Sequence, residues 1–253
     1  MEPSNINSVL VTGGGSGIGA GTAKYLAKKG SLVTICGRSE EKLIKVSEEI
    51  GESCHYVVAD ITQQNDREIL ISEAVKFGNG LNALINCAGN MYRVPLEKME
   101  ENSLEDIFKT NVISGMMLAK ESLEHLKLTQ GSIVFISSVH TKRSFSGASP
   151  YAATKGAIET VTQVLASELG EHGIRVNCVS PGAVLSEINI RAGLFSKEEN
   201  EDRMNKLAPE HVLGRIGTST EIAEAIAYLI EAKWTTGAIL RIDGGLSLGK
   251  IKD

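Results

Sequence analysis

The stretch "SVLVTGGGSGIG", Ser8 to Gly19, decides how the chain is read. A short aliphatic run, Ser8 to Thr12, passes directly into a turn crowded with glycine. A strand that is apolar throughout suits a sheet covered on both faces. Glycine at Gly13, Gly17 and Gly19 removes side chains where backbone must approach a ligand and where a helix packs on a strand. Gly15, Ser16 and Ile18 complete the same turn. The N-terminus of the following helix offers unpaired N–H groups and a partial positive charge, a setting suited to a pyrophosphate. The turn is not a P-loop, because no Gly-Lys-Ser/Thr closes it. Alone, a glycine-rich turn is a weak signal of dinucleotide binding.

Outward from this turn, short apolar runs alternate with longer amphipathic segments. The runs are Leu32–Cys36, His55–Ala59, Ala83–Asn86, Ser132–Ser137, Ile174–Ser180 and Ala238–Ile242. Helices are expected over Gly17–Lys29, stopped by Gly30, and over Glu40–Ile50, stopped by Gly51. Others are expected over Gln64–Phe77, Leu104–Leu126, Pro150–His172 and Thr220–Glu231. Such alternation, with no Pro/Ser-rich linker, predicts one α/β domain over residues 1–253. Its sheet is doubly wound, mainly parallel and seven-stranded, with helices on both faces. Residues 187–215 break the rhythm; they are polar, charged and weakly periodic, as a substrate lid or binding loop often is.

The 253 residues are 42% hydrophobic and 23% charged, ordinary for a soluble globular chain able to bury a sizeable core. The formal net charge of −5 gives no basic surface for nucleic acid. Four dispersed cysteines, Cys36, Cys54, Cys87 and Cys178, form no C-x-x-C pair and read as reduced thiols. No metal site is expected. The start "MEPSNINS" lacks a signal-peptide pattern, and no apolar run approaches the roughly 18 residues of a membrane span. A cytoplasmic protein without membrane partners is expected.

The second strand ends "TICGRSEEK". An acidic residue at this place often binds the ribose 2′-hydroxyl of NAD; here it reads Gly37, followed by Arg38 and Ser39. Nothing repels a 2′-phosphate, and a guanidinium is available to pair with it. NADP(H) is therefore preferred over NAD(H), which stays possible. Arg38 is also compatible with a simple exposed arginine near a helix N-terminus.

With these features in place, the chain resembles the short-chain dehydrogenase/reductase family. The turn Thr12-Gly13-x-x-x-Gly17-x-Gly19 matches its cofactor motif. "NCAG", Asn86 to Gly89, matches its Asn-Asn-Ala-Gly motif, with Cys87 in place of the second asparagine. "TNVISG" supplies Asn111, "ISS" supplies Ser138, and "YAATK" supplies Tyr151 and Lys155. "SPG", Ser180 to Gly182, and "TGAILRIDGG" match the family's later motifs. The resemblance runs from about residue 6 to 248. It implies a single-domain Rossmann fold, an NAD(P)-dependent reaction between a ketone or aldehyde and an alcohol, and a homo-oligomer. A tetramer would pack through the two long helices; a dimer is the other possibility.

The same resemblance makes Tyr151 the general acid/base and Ser138 the hydrogen-bond partner of the substrate oxygen. Lys155 would hold the nicotinamide ribose, and Asn111 would support a water that relays protons to it. Asp60 and Ile61 would lie near the adenine; Asn86, Ala88 and Gly89 would line the adenosine side. Pro181, Gly182, Val184 and Ser186 would meet the nicotinamide. Cys87 forgoes the hydrogen bonds an asparagine would make.

The chemistry asked of these residues is coherent. Free tyrosine, with a pKa of about 10, is a sluggish base near neutrality. A neighbouring ammonium is expected to lower that value. Positions i and i+4 share a helix face, so Lys155 can lie beside Tyr151. Pro150 suits the first helical position, with Ser149 as candidate N-cap.

Candidate substrate contacts are Ser138, His140, Met91, Tyr92, Ser149 and Leu185. His140 is equally compatible with a loop histidine bonded to backbone or water. Lys142 and Arg143 are open between attracting an anionic substrate and simple solvation. Alternatives to a general carbonyl reductase are a 3-oxoacyl-thioester (acyl carrier protein) reductase and a catalytically silent NADP-binding regulator. A sugar epimerase or dehydratase can share Tyr-x-x-x-Lys, but such enzymes usually carry a larger C-terminal region.

Overall fold

The computed structural model describes residues 7–250. Residues 1–6, most of the stretch read above for a signal pattern, and 251–253 lie outside the described residues. Seven strands form one parallel sheet in the order β3-β2-β1-β4-β5-β6-β7. They are β1 (Ser8–Thr12), β2 (Leu32–Gly37), β3 (Cys54–Val58), β4 (Ala83–Asn86), β5 (Ser132–Ile136), β6 (Arg175–Pro181) and β7 (Ile239–Ile242). Each falls within a residue or two of its expected place.

Alternation along each strand divides the core. Val9 and Val11 of β1 and Ala83 and Ile85 of β4 face one side, where α1 (Gly17–Lys28), α2 (Glu40–Ile50) and α10 (Ser219–Glu231) cover them. Leu10 and Leu84 face the other side, beneath α3 (Gln64–Gly78), α5 (Ser114–Glu121) and α7 (Ser149–Leu169). Strands buried on both faces explain the unbroken apolar runs.

Strand order reverses between β1 and β4, whose neighbours lead away in opposite directions. Thr12 pairs with Cys36 on one side and with Asn86 on the other. A crevice opens at such a switch point, outside the strand C-termini. Every candidate catalytic residue lies on this end of the sheet.

Two expectations need correction. Leu104–Leu126 is not one helix: α4 (Glu101–Phe108) runs into a π-helical turn, Lys109–Ile113, before α5, and α6 (Leu123–Thr129) follows. One extra residue in the turn shifts the phase of the apolar pattern. Residues 187–215 are also largely helical, with α8 (Ile188–Arg191), α9 (Lys197–Leu207) and a 3-10 turn at Ala208–Glu210. A capping box starts α9, with Ser196 accepting from the Glu199 N–H and Glu199 reaching back to the Ser196 N–H. The buried pair Asn189 and Asn200 fastens α8 to α9 at 3.1 Å, and Asn200 also donates to the Ser186 carbonyl.

Candidate active site

Helix α7 begins with Ala148 as N-cap and Pro150 in its first turn; Ser149 is exposed and makes no capping hydrogen bond, contrary to expectation. The helix presents Tyr151 and Lys155 on one face, both buried. Lys155 Nζ lies 5.5 Å from the centre of the Tyr151 ring and donates to the Ile136 carbonyl at 2.8 Å. That bond ties the helix to the end of β5, just before Ser138. Glu159, one turn further along α7, accepts from Ser137 Oγ at 2.9 Å and from Thr141 Oγ at 2.7 Å. Glu159 thus fixes the segment bearing Ser138 against the helix bearing Tyr151.

Ser138 Oγ is 3.0 Å from His140 Nδ1. The His140 ring meets Tyr151 edge-on at 5.1 Å and lies tilted against Phe145 at 4.4 Å. The π-helical turn carries Asn111 inward, a frequent use of such turns. Asn111 accepts from the Asn90 N–H at 2.7 Å and donates to the Asn90 carbonyl and to Thr154 Oγ. Gly89 packs closely here, since a Cβ would stand 3.2 Å from Asn111 Oδ1. Beneath these groups lies a cavity of about 10 Å³, lined by Asn86, Asn111, Ser114 and Lys155. It is the size of one water, and both polar atoms of the buried Asn86 side chain lack a protein partner.

Burial dominates the proton affinities. It pushes Tyr151 up to about 12, against a smaller downward pull from the Ser138 hydroxyl. It pushes Lys155 down to about 8. The expected lowering of Tyr151 by Lys155 is therefore not what the geometry gives. Desolvation of the phenolate dominates, and Tyr151 is a neutral phenol near pH 7. His140 is pushed down to about 4, by burial first and then by Arg93, Arg203 and Lys155, so its imidazole is neutral.

The crevice beside this centre runs along the glycine turn. Thr12 Oγ accepts from the Ala88 N–H at 3.0 Å, joining the ends of β1 and β4. Gly13, at φ +66°, packs so closely that a Cβ would lie 3.0 Å from the Ala88 backbone. Ser16 is the N-cap of α1 but gives no side-chain cap, leaving the first-turn N–H groups to face the groove. Gly13, Ser16, Gly17, Ile18, Gly19, Gly37, Arg38, Asp60, Ile61, Ala88, Gly89 and Ser186 line it. Gly15 instead faces Lys42 on the outer side of the turn, and Ser39 is an exposed N-cap of α2. Asp60 uses its carboxylate on Thr62, whose N–H and Oγ lie at 3.0 and 2.8 Å. Amide donors at a helix start and an arginine at the end of β2 fit a dinucleotide diphosphate.

A pocket of about 130 Å³ adjoins the groove and shares Gly89, Cys87, Ile18 and Ser186 with it. Ser138, Tyr151, Lys155, Pro181, Gly182 and Val184 line it, as do Met91 and His140. Three proposed substrate contacts are elsewhere. The Tyr92 hydroxyl accepts from the Glu100 N–H, Ser149 is exposed, and Leu185 faces the outer surface groove beside Lys42. Lys142 pairs with Glu159, and Arg143 with Glu210, so both cations are compensated. Glu159, Thr154, Arg191 and Arg203 were missed by sequence reasoning. Arg191 reaches from α8 to the Gly89 carbonyl at 3.3 Å. Burial holds the Cys36, Cys87 and Cys178 thiols up at about 12, which makes them poor nucleophiles. Among the described residues no helix is long and apolar enough to cross a membrane.

Comparison with known proteins gives this geometry its context. A family model described as short chain dehydrogenase matches residues 7–195. L-fucose dehydrogenase of Bos taurus is 34% identical over 246 residues, covering 95% of this chain and 89% of that protein. A solved variant of actinorhodin polyketide ketoreductase with NADPH superposes with a TM-score of 0.87 at 28% identity, covering 98% of this chain and 99% of the other. The 3-ketoacyl-(acyl-carrier-protein) reductase of Brucella melitensis, complexed with NADH, gives 0.84 at 28% identity, over 95% and 98%. Switch-point crevice, glycine turn and family match agree: the chain belongs to the short chain dehydrogenase family, oxidoreductases that interconvert CH–OH and carbonyl groups.

Proposed function

We propose that the protein is an NADP-preferring reductase of a small ketone or aldehyde, working reversibly on the corresponding alcohol. One observation carries this reading: Tyr151, Lys155 and Ser138 converge on a single pocket that opens into the dinucleotide groove. When bound, the dinucleotide supplies or accepts the hydride. Ser138 holds the substrate oxygen, and Tyr151, a neutral phenol near pH 7, gives its proton to that oxygen as charge develops there. The Lys155 ammonium stabilises the phenolate left behind. A water in the cavity between Asn86, Asn111 and Lys155 can return the proton.

Preference for NADP rests on Gly37 and Arg38. No carboxylate stands at the end of β2, and Arg38 and Arg191 both line the groove, with Asp60 and Glu187 the carboxylates there. The pocket volume of about 130 Å³ suits a small carbonyl compound. A 3-oxoacyl-thioester reductase remains the second reading, supported by the likeness to the Brucella melitensis enzyme. Self-association through α5 and α7 is part of the proposal; Ile113 and Val164 expose about half their surface beside and on those helices. Light scattering giving a monomer mass would remove that part.

The experiment is a panel of ketones, aldehydes and acetoacetyl thioester with NADPH and NADH, read by loss of absorbance of the reduced nicotinamide. Turnover of simple carbonyls, faster with NADPH, is the expected result. Activity confined to the thioester would favour the second reading, and no turnover with any member would sink both.

A further inference from the structure

The pocket beyond Tyr151 is electrically unbalanced. Lys155 and Arg203 are the charged side chains that line it, and no carboxylate does. The chain as a whole is acidic, at −5, so carboxylates are plentiful and are placed elsewhere. Arg67, Arg143 and Arg215 each pair with a glutamate. Arg203 has no acidic partner among the described residues; it is half-buried on α9, with its guanidinium over the Phe195 ring at 5.6 Å.

Arg93 adds a second uncompensated charge. It is half-buried, donates to the Ser146 carbonyl at 2.7 Å and likewise has no carboxylate partner among the described residues. Arg93 stands outside the pocket lining, and its charge acts on Arg203 and His140 from there. Arg203 is lowered by burial and then by Arg93, and both act on His140. Half-buried like charges without a counter-ion are unfavourable, and a bound anion relieves them. One further group there is left without a partner, His140 Nε2. It belongs to a side chain on the same pocket, is buried, and makes no hydrogen bond.

We propose that the substrate carries a carboxylate, held by Arg203, so that the enzyme reduces a short oxo acid to the hydroxy acid. This rests on the carbonyl-reductase reading above. The carbonyl carbon takes the hydride of the reduced nicotinamide dinucleotide and its oxygen takes the proton of Tyr151, which solvent restores. The carboxylate is unchanged and serves as the handle. A guanidinium pairs with a carboxylate through two parallel hydrogen bonds, which fixes orientation as well as affinity. His140, neutral beside Ser138, adds no competing charge.

The test compares 2-oxobutyrate, acetoacetate and 4-oxopentanoate, each beside its methyl ester, as substrates with NADPH. In the parent protein one acid should exceed its ester by ten-fold or more in kcat/KM. Arg203→Gln should lower that acid's kcat/KM by roughly 10- to 100-fold, mainly through KM, and the ester's far less. Arg203→Lys should recover part of the loss, and an unchanged melting temperature would show that the variants fold. Esters reduced as well as acids, or Arg203→Gln lowering both equally, would overturn the carboxylate assignment while leaving the reductase reading intact. No turnover of acid, ester or any neutral carbonyl by a protein that binds NADPH would refute the reductase reading, and this inference with it.

Discussion

His140 Nδ1 stands 3.0 Å from Ser138 Oγ, and the neutral imidazole decides which hydrogen the serine can offer. If Nδ1 carries the proton, it donates to Ser138 and frees the serine hydroxyl for the substrate oxygen. Replacing His140 by Ala removes this partner, and kcat/KM should fall by roughly ten-fold, the scale of one neutral hydrogen bond. His140→Gln, which can still donate, should fall less. Equal losses in the two variants, measured by steady-state reduction, would show that the ring serves only as packing.

Tyr151→Phe keeps the ring against His140 and removes the proton. Turnover should drop by at least about 10²-fold, within the range for general acid catalysis. NADPH affinity, followed by fluorescence titration, should change little. Substantial residual turnover would transfer the acid role to another group.

The pH profile should report Lys155. Burial sets this ammonium at about 8 and Tyr151 at about 12, so the lysine is the one that titrates in the working range. Its charge is nearly complete at pH 6 to 7, half lost at about pH 8 and gone well above it. The rate of carbonyl reduction should be level from pH 6 to 7 and fall through about pH 8. No step is expected near 6.5, because His140 stays neutral down to about 4. A level profile to pH 10 would contradict the role given to Lys155.

Arg38→Ala should weaken NADPH binding by roughly ten-fold or more, as loss of a charge-assisted contact to phosphate does, and leave NADH nearly untouched. Calorimetry with both dinucleotides gives the ratio directly. Equal affinities in the parent protein would reverse the cofactor preference.

Arg67 is buried and reaches Glu121 through two bonds of 2.8 Å, with a third to the Ile61 carbonyl at 3.0 Å. Arg67→Ala strands a partly buried carboxylate and should cost about 3 kcal/mol of stability, read from urea unfolding. A change within 0.5 kcal/mol would show the pair to be well solvated.

Strands were legible because each is a short apolar run bounded by turn residues, and the parallel sheet needs such runs. Tyr151 and Lys155 were legible as a spacing, and Gly13 as a turn. Thr154 and Glu159 were not, since their roles are hydrogen bonds to Asn111 and to Ser137 and Thr141, which the sequence separates widely. Lys142 and Arg143 show the reverse. The sequence leaves them open between attracting an anion and simple solvation, and Glu159 and Glu210 neutralise them. Arg203 sits in a segment read as a featureless lid, and the Ser196-x-x-Glu199 signature that starts its helix was there to be used.

The π-helical turn at Lys109–Ile113 makes the centre sensitive to chain length as well as to residue identity. Removing one residue there would let the segment close into a continuous α-helix, keeping α4 and α5 in phase but withdrawing the wide turn that carries Asn111 inward. Asn111 would then lose its grip on Asn90 with every catalytic side chain still present. A scan by substitution would pass over this weakness, whereas single-residue deletions at 109, 110, 112 and 113 would expose it as inactive, folded protein.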